Sequence, residues 1–187
     1  MHMRGCITLR RPRILGARLH VHWSALVAAG VLLGVLIRQP LHAFVAVAAY
    51  FLVILLHEAG HALVARRLGY PATDIYLTFI HGVCVYEQPG SVREAALVAW
   101  GGVLVQLAVA IPLIVLAQTT PLGAAPVFPV AVAILGYMSL FIALLNLAPA
   151  RGLDGALAWK LVPILLRDLR NRFTSKKKTK DLLRRIK

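Results

Sequence analysis

The 187-residue chain is both apolar and basic, with 59% hydrophobic residues, 15% charged residues and a net charge of +14. Soluble domains carry about 25% charged residues, so this composition excludes an ordinary soluble domain and indicates a polytopic membrane protein. Its two cysteines, Cys6 and Cys84, show no paired spacing and argue against a disulfide-stabilised fold.

The chain begins with a basic segment that contains Arg10 and Arg18, followed by an apolar stretch at 21–37. This stretch is predicted to be the first transmembrane helix. A cleaved secretory signal peptide is the alternative interpretation. We favour a retained span, because the helices that follow need packing partners.

The second predicted span, residues 41–65, contains the sequence His57-Glu58-Ala59-Gly60-His61. Residues four apart lie on one face of a helix, so both imidazoles can bind one Zn²⁺ while Glu58 takes a proton from water. A chance match is the alternative, but ionisable side chains inside an apolar span are costly and are usually functional. The motif therefore predicts His57 and His61 as metal ligands and Glu58 as the catalytic base.

A short β segment is predicted between the second and third spans. Residues 73–87 alternate in character around a turn at His81-Gly82, which is typical of a β-hairpin. The third span, residues 95–117, contains Gly101-Gly102, a pair that permits close helix contact. Within the same span, Gln106 is predicted to form a hydrogen bond between helices rather than to act in catalysis.

The fourth predicted span covers residues 127–147, and a shorter apolar stretch follows at 153–166. Lys160 and Pro163 interrupt that stretch, so it is predicted to be a half-span or interfacial helix. The predicted fold class is therefore an all-α polytopic membrane protein. It has about four transmembrane helices, one short helix and a small β-hairpin after the second span.

A zinc site with two histidines needs a third protein ligand. Asp154 follows the fourth span at the same predicted membrane level as His57 and His61, which makes it the best candidate. A helix N-cap is the alternative role, since Asp154 precedes Gly155-Ala156-Leu157.

At these residues the chain resembles the site-2 protease family of intramembrane zinc metalloproteases. The family combines HExxH with Asn-x-x-Pro and a nearby Asp-Gly; here the second element is Asn146-Leu147-Ala148-Pro149, followed by Asp154-Gly155. The resemblance covers roughly residues 15–160. The chain departs from the family at two places. The family often has Gly-Pro-x-x-Asn in the third span, where this chain has Gly102-Val103-Leu104-Val105-Gln106. The family often has Asp-Gly-Gly, where this chain has Asp154-Gly155-Ala156.

The resemblance implies a zinc-dependent endopeptidase that cleaves transmembrane segments of regulatory or signal-like membrane proteins. Zn²⁺ would be the cofactor, held by His57, His61 and Asp154, with Glu58 as the base. Asn146 would contact the substrate backbone or the developing oxyanion.

The basic residues predict the orientation of the chain. Of 21 Lys and Arg residues, only Arg38 lies in a segment predicted to be outside. The positive-inside rule therefore predicts that both termini and the entrance to the site are cytoplasmic. The charge reflects topology, so no nucleic-acid partner is expected. Residues 1–172 are predicted as the protease core and residues 173–187 as a basic tail, which could attract anionic lipid of the surrounding bilayer.

Three other functions fit the sequence less well. An inactive metal-binding pseudoprotease or chaperone-like protein is the main alternative, given the departures from the family pattern. A membrane-anchored zincin would take a glutamate as third ligand, and only Glu87 and Glu94 lie downstream of the motif. A zinc transporter is disfavoured because no second polar relay lines the other spans.

Overall fold

The structure is a computed structural model that describes residues 5–185, without the side chains of Arg10, Pro12 and residues 175–185. Within this range three helices are long and apolar enough to cross a membrane: α2 (Pro40–Arg67), α3 (Val92–Thr119) and the helical span Phe128–Asn146. A 28-residue helix is about 42 Å long, which exceeds the roughly 30 Å hydrocarbon core. These three spans agree with the prediction.

The first apolar stretch forms a shorter helix than predicted. Val21 and His22 belong to a β-strand, and helix α1 begins only at Trp23 and ends at Val35. The His22 side chain caps this helix by accepting a hydrogen bond from the backbone N–H of Ser24. At 13 residues, or about 20 Å, α1 is apolar but shorter than the hydrocarbon core. The structure thus gives spanning length to three of the four predicted segments.

The fourth span is not a uniform α-helix. It consists of α4 (Phe128–Ala131), a π-helical segment (Val132–Met138) and α5 (Ser139–Asn146). A short 3₁₀ turn, Pro121–Ala124, precedes it on the loop from α3. π-Helical turns are rare and occur often at functional sites. Here the π-helical segment leads directly into Ser139, which is 1% exposed and faces α3.

A four-stranded sheet packs against α2. Its strands are β1 (Cys6–Ile14), β2 (Ala17–His22), β3 (Asp74–Leu77) and β4 (Gly82–Val85), in the spatial order β1-β2-β3-β4. The outer pairs are antiparallel and the central β2–β3 pair is parallel. The predicted hairpin at 73–87 is confirmed as β3 and β4. The all-α assignment is wrong for the N-terminal region, where the basic segment forms a second hairpin.

The N-terminal hairpin forms because its turn and its pairing partner are both favourable. Leu15 and Gly16 have positive φ angles of 52° and 98°, as a tight two-residue hairpin turn requires. Across the parallel pair, Arg18 Nε lies 2.9 Å and His20 Nε2 2.8 Å from Asp74 Oδ1. Burial raises the pKa of Asp74, but hydrogen bonds from His20 and Arg18 outweigh it and lower the pKa to about 2. The carboxylate is therefore ionised at neutral pH and stabilises the β2–β3 pairing.

Helices α2 and α3 cross with their backbones in contact. A Cβ atom added at Gly60 would lie 2.4 Å from the carbonyl oxygen of Gly101, and one added at Gly101 would lie 2.6 Å from that of Gly60. Neither position can accept a side chain without separating the helices. The predicted close contact at Gly101-Gly102 is confirmed, and it brings α3 against the turn of α2 that carries His57 and His61.

The segment after the fourth span is broken rather than a single short helix. It contains α6 (Gly155–Ala158), a break at 159–160 and α7 (Leu161–Arg185). Pro163 falls in the first turn of α7, where its missing N–H removes no helical hydrogen bond. Asp168 of α7 pairs with Arg93 of α3 at 3.1 Å. Helix α7 is continuous across residue 172, and the division into a core and a basic tail stays a prediction.

Candidate metal centre

The two histidines of the HExxH motif converge as their spacing predicts. His57 and His61 lie one turn apart on α2, and their Nε2 atoms are 3.0 Å apart. Both Nδ1 atoms face oxygen acceptors, since His57 Nδ1 is 2.9 Å from Gln106 Oε1 and His61 Nδ1 is 2.8 Å from the carbonyl oxygen of Val98. Each Nδ1 therefore carries the proton and donates, which leaves both Nε2 lone pairs directed at the same point.

Asp154 completes the cluster from a distant part of the chain. Its Oδ2 atom lies 3.0 Å from His57 Nε2 and 3.3 Å from His61 Nε2. Within the described residues this buried oxygen has no hydrogen-bond partner. Asp154 occupies the N-cap position of α6, yet its side chain makes no capping bond. The carboxylate is thus committed to the two imidazoles and not to the helix end.

This donor set fits a zinc ion. Tetrahedral Zn²⁺ with bonds of roughly 2.0–2.1 Å holds its ligand atoms about 3.3 Å apart. The three atoms here are separated by 3.0–3.3 Å. Two facing nitrogen lone pairs and a buried carboxylate oxygen without a proton donor repel one another unless a cation lies between them. The residues that the structure brings together are therefore suited to hold a divalent metal.

The charge of Asp154 is consistent with that role. Burial raises the pKa of Asp154, but hydrogen bonds and positive charge from His57 and His61, when an imidazole is protonated, outweigh burial and hold the pKa below its ordinary value. The carboxylate is therefore ionised at neutral pH and available as an anionic ligand.

Two tryptophans and a glycine hold the loop that carries Asp154. Trp159 Nε1 donates to the carbonyl oxygen of Leu147 at 2.6 Å, and Trp100 Nε1 donates to that of Ala158 at 3.0 Å. The two indole rings pack edge to face with centroids 5.8 Å apart. At Gly155 an added Cβ would lie 2.3 Å from the Leu147 carbonyl oxygen. These contacts fold residues 147–158 into a tight turn against α3.

Glu58 lies beside the metal-ligating atoms and is 4% exposed. Its carboxylate packs against β4, where a Cβ added at Gly82 would lie 2.5 Å from Glu58 Oε1, and it interacts with the backbone of Cys84. Burial raises the pKa of the Cys84 thiol to about 12, and the neighbouring Glu58 carboxylate adds to the increase. Glu58 is therefore placed between the histidines and the β3–β4 hairpin.

A cavity of about 560 Å³ opens onto this cluster. Glu58, His57, His61 and Asp154 line one side. Residues of the hairpin and of the end of the fourth span also line it: Ile80, His81, Gly82, Val83, Cys84, Ile142, Leu145 and Asn146. Asn146 is half-buried, and the exposed His81 lies at the hairpin turn as predicted. The cavity is large enough for an extended peptide segment.

Gly102 contributes to the site by leaving room for it. A Cβ atom added there would lie 2.5 Å from His61 Nε2 and 2.9 Å from His57 Cε1. The sequence predicts only that this glycine permits close contact between helices. The hydrogen bond from His57 to Gln106 and the fit of Gly82 against Glu58 were also not foreseen, because each depends on how separate elements face one another.

We expect Gly102→Ala to disrupt the metal site, because both imidazole rings must move to admit the methyl group. Zinc affinity of the purified protein should fall roughly tenfold or more, and overpacking should cost about 1–3 kcal/mol of stability. Gly34→Ala in α1 is the matched control, since no atom lies within 4 Å of the added Cβ. Metal titration and thermal unfolding of both variants measure the effect. Unchanged zinc affinity in Gly102→Ala would contradict the described packing.

Comparisons with known proteins test the resemblance noted in the sequence. No protein-family profile matches the chain. No curated protein sequence matches it either. Among solved structures, a site-2 protease from Methanocaldococcus jannaschii superposes with a TM-score of 0.65, covering 83% of this chain and 71% of that one at 23% identity. The chain has the fold of a site-2 protease. The predicted resemblance is thus confirmed at the level of the fold.

The shared fold and the geometry of the metal cluster are two separate observations. The similarity to the site-2 protease lies in the backbone, whereas the cluster of His57, His61 and Asp154 is a feature of the side chains. The two observations are independent. Together they support an integral membrane protein with a polar cluster placed among apolar helices.

Proposed function

We propose that the chain is a zinc-dependent intramembrane endopeptidase of the site-2 protease family. The observation that supports this most strongly is the meeting of His57, His61 and Asp154 within 3.3 Å beside the buried Glu58. Ionisable side chains in an apolar span are costly, and a hydrolytic metal site explains all four together. The shared fold supports the same assignment.

The chemistry divides between the cofactor and the chain. Zinc bound by His57, His61 and Asp154 would polarise the scissile carbonyl and lower the pKa of water. The Glu58 carboxylate accepts a proton from the water whose oxygen adds to the carbonyl carbon. As the C–N bond breaks, Glu58 passes that proton to the leaving nitrogen. Asn146, which lines the same cavity, would donate a hydrogen bond to the substrate backbone or to the developing oxyanion.

The substrate in this proposal is a transmembrane helix of a regulatory or signal-like membrane protein. A helix hides its carbonyl groups in internal hydrogen bonds, so the segment must unwind before water can attack. Strand β4 lies at the edge of the sheet, and its residues Gly82, Val83 and Cys84 line the cavity next to Glu58. An unwound segment could pair with this edge as an added strand. We also propose that the entrance to the site is on the cytoplasmic side of the membrane.

Cleavage of a labelled transmembrane substrate by the purified protein in lipid vesicles tests the proposed function. We expect cleavage that a strong zinc chelator abolishes and that added Zn²⁺ restores, because the proposed chemistry requires the bound ion and its binding is reversible. Binding of zinc without cleavage of any transmembrane segment would instead favour an inactive metal-binding pseudoprotease or chaperone-like protein. Cleavage that persists after complete metal removal would refute the proposal.

A further inference from the structure

Gln106 is a fully buried amide in the middle of a membrane-spanning helix. Its exposed fraction is 0%, and it lies on α3 facing the metal cluster. Burying an amide without hydrogen-bond partners is unfavourable, and no water is present in the hydrocarbon core to compensate. A polar side chain at this depth therefore needs partners from the protein.

The partners of Gln106 connect three transmembrane segments. Its Oε1 atom accepts from His57 Nδ1 of α2 at 2.9 Å, and its Nε2 atom donates to Ser139 Oγ of α5 at 3.4 Å. Ser139 is itself 1% exposed. In this orientation the NH₂ group of the amide donates to Ser139, and the amide oxygen meets the imidazole of His57.

This orientation determines the proton position on His57. An acceptor at Nδ1 keeps the proton on that nitrogen and leaves the Nε2 lone pair free to face His61 and Asp154. For His61 the acceptor at Nδ1 is the backbone carbonyl of Val98, which no side-chain substitution removes. For His57 the acceptor is the side chain of Gln106. The two histidines therefore differ in how their orientation is maintained.

We propose that Gln106 is a positioning residue that holds His57 in its metal-binding tautomer and ring orientation, with Ser139 fixing the amide. This rests on the proposed function, since it assumes that the cluster binds zinc. Partners of this kind typically contribute 10–100-fold to metal affinity. The sequence predicts a hydrogen bond from Gln106 to another helix, and the bond to Ser139 is such a bond. The bond to His57 adds a role in the metal site.

Zinc affinity of the full-length protein, measured by competition with a chromophoric chelator in detergent, tests the proposal. We expect Gln106→Leu to raise the Kd for Zn²⁺ by about 10–100-fold, because His57 loses its acceptor. Ser139→Ala should raise it by a smaller factor, since the amide is still present but can turn. Gln118→Leu is the matched control: it lies on the same helix but is bonded to Tyr137 Oη at 2.8 Å, outside the cavity.

Gln106→Glu separates a positioning role from a purely structural one. A carboxylate at this position also accepts from His57 Nδ1, so it should restore affinity relative to Gln106→Leu. A merely structural role would give the opposite order, because a buried charge is harder to accommodate than leucine. Equal zinc affinity of Gln106→Leu and wild type, or tighter binding by Gln106→Leu than by Gln106→Glu, would overturn the proposal. Absence of zinc binding by the wild type would instead refute the proposed function, and the positioning role with it.

Discussion

Replacing Glu58 with glutamine is expected to abolish proteolysis while leaving zinc bound. The substitution preserves the size of the side chain and its packing against Gly82, but it removes the group that accepts a proton from water. General acid–base catalysis contributes about 10²–10⁴-fold to rate, so cleavage of a transmembrane substrate should fall by at least about 100-fold. Zinc content should stay at the wild-type level, because Glu58 is not among the three ligand atoms.

The control for this experiment is Glu87→Gln, which makes the same chemical change at an exposed position between β4 and α3. It should cleave substrate at the wild-type rate. This variant also tests one form of the alternative in which a downstream glutamate is the third ligand, because zinc would be lost from Glu87→Gln if Glu87, and not Glu94, were that ligand. Wild-type cleavage by Glu58→Gln would refute the assignment of Glu58 as the base.

The part of the site that lies within one helix could be predicted from the sequence. The four-residue separation of His57 and His61 determines that they share a helix face, and the structure places their Nε2 atoms 3.0 Å apart. Asp154 is a different case, because 92 residues separate it from His61. Its choice depended on the predicted membrane level and on the Asn146-to-Asp154 pattern. The alternative of an N-cap could be decided only when the side chain was seen to make no capping bond.

The fold was predictable for the long apolar helices and not for the N-terminal hairpin. Apolar length directly predicts α2 and α3, since few other structures satisfy the backbone in lipid. Strand β2 is only six residues long, and its last two residues, Val21 and His22, continue into the apolar stretch that predicts the first span. Its central pairing with β3 is parallel and joins Arg18 to Asp74 across 56 residues. Such non-local pairing leaves little trace in sequence.

Contacts between elements account for the functional residues that were missed. Gly102 was recognised as a small residue, but the imidazoles that occupy its missing side-chain volume become evident only when α2 and α3 are packed. Gln106 was assigned to helix contact, and that bond exists at Ser139, yet the second bond to His57 depends on the rotation of α3 about its axis. Composition and periodicity do not define that rotation.

The second large effect is expected from Asp154→Ala, which removes one of the three ligands. Loss of an outer-shell partner costs about 10–100-fold in metal affinity, so loss of a direct ligand should cost at least about 100-fold. The loop should keep its fold, because Trp159 and Trp100 bond its backbone independently of the Asp154 side chain. Asp168→Ala is the matched control, since that aspartate pairs with Arg93 on the surface and is remote from the cluster.

The convergence of two imidazoles and one carboxylate on a single cation is tested most directly by zinc content after dialysis against a weak chelator. Elemental analysis should find about one zinc per chain in the wild type and in Asp168→Ala, and far less than one in Asp154→Ala. Zinc retained by Asp154→Ala at the wild-type level would contradict the account, because the carboxylate could then not be a ligand.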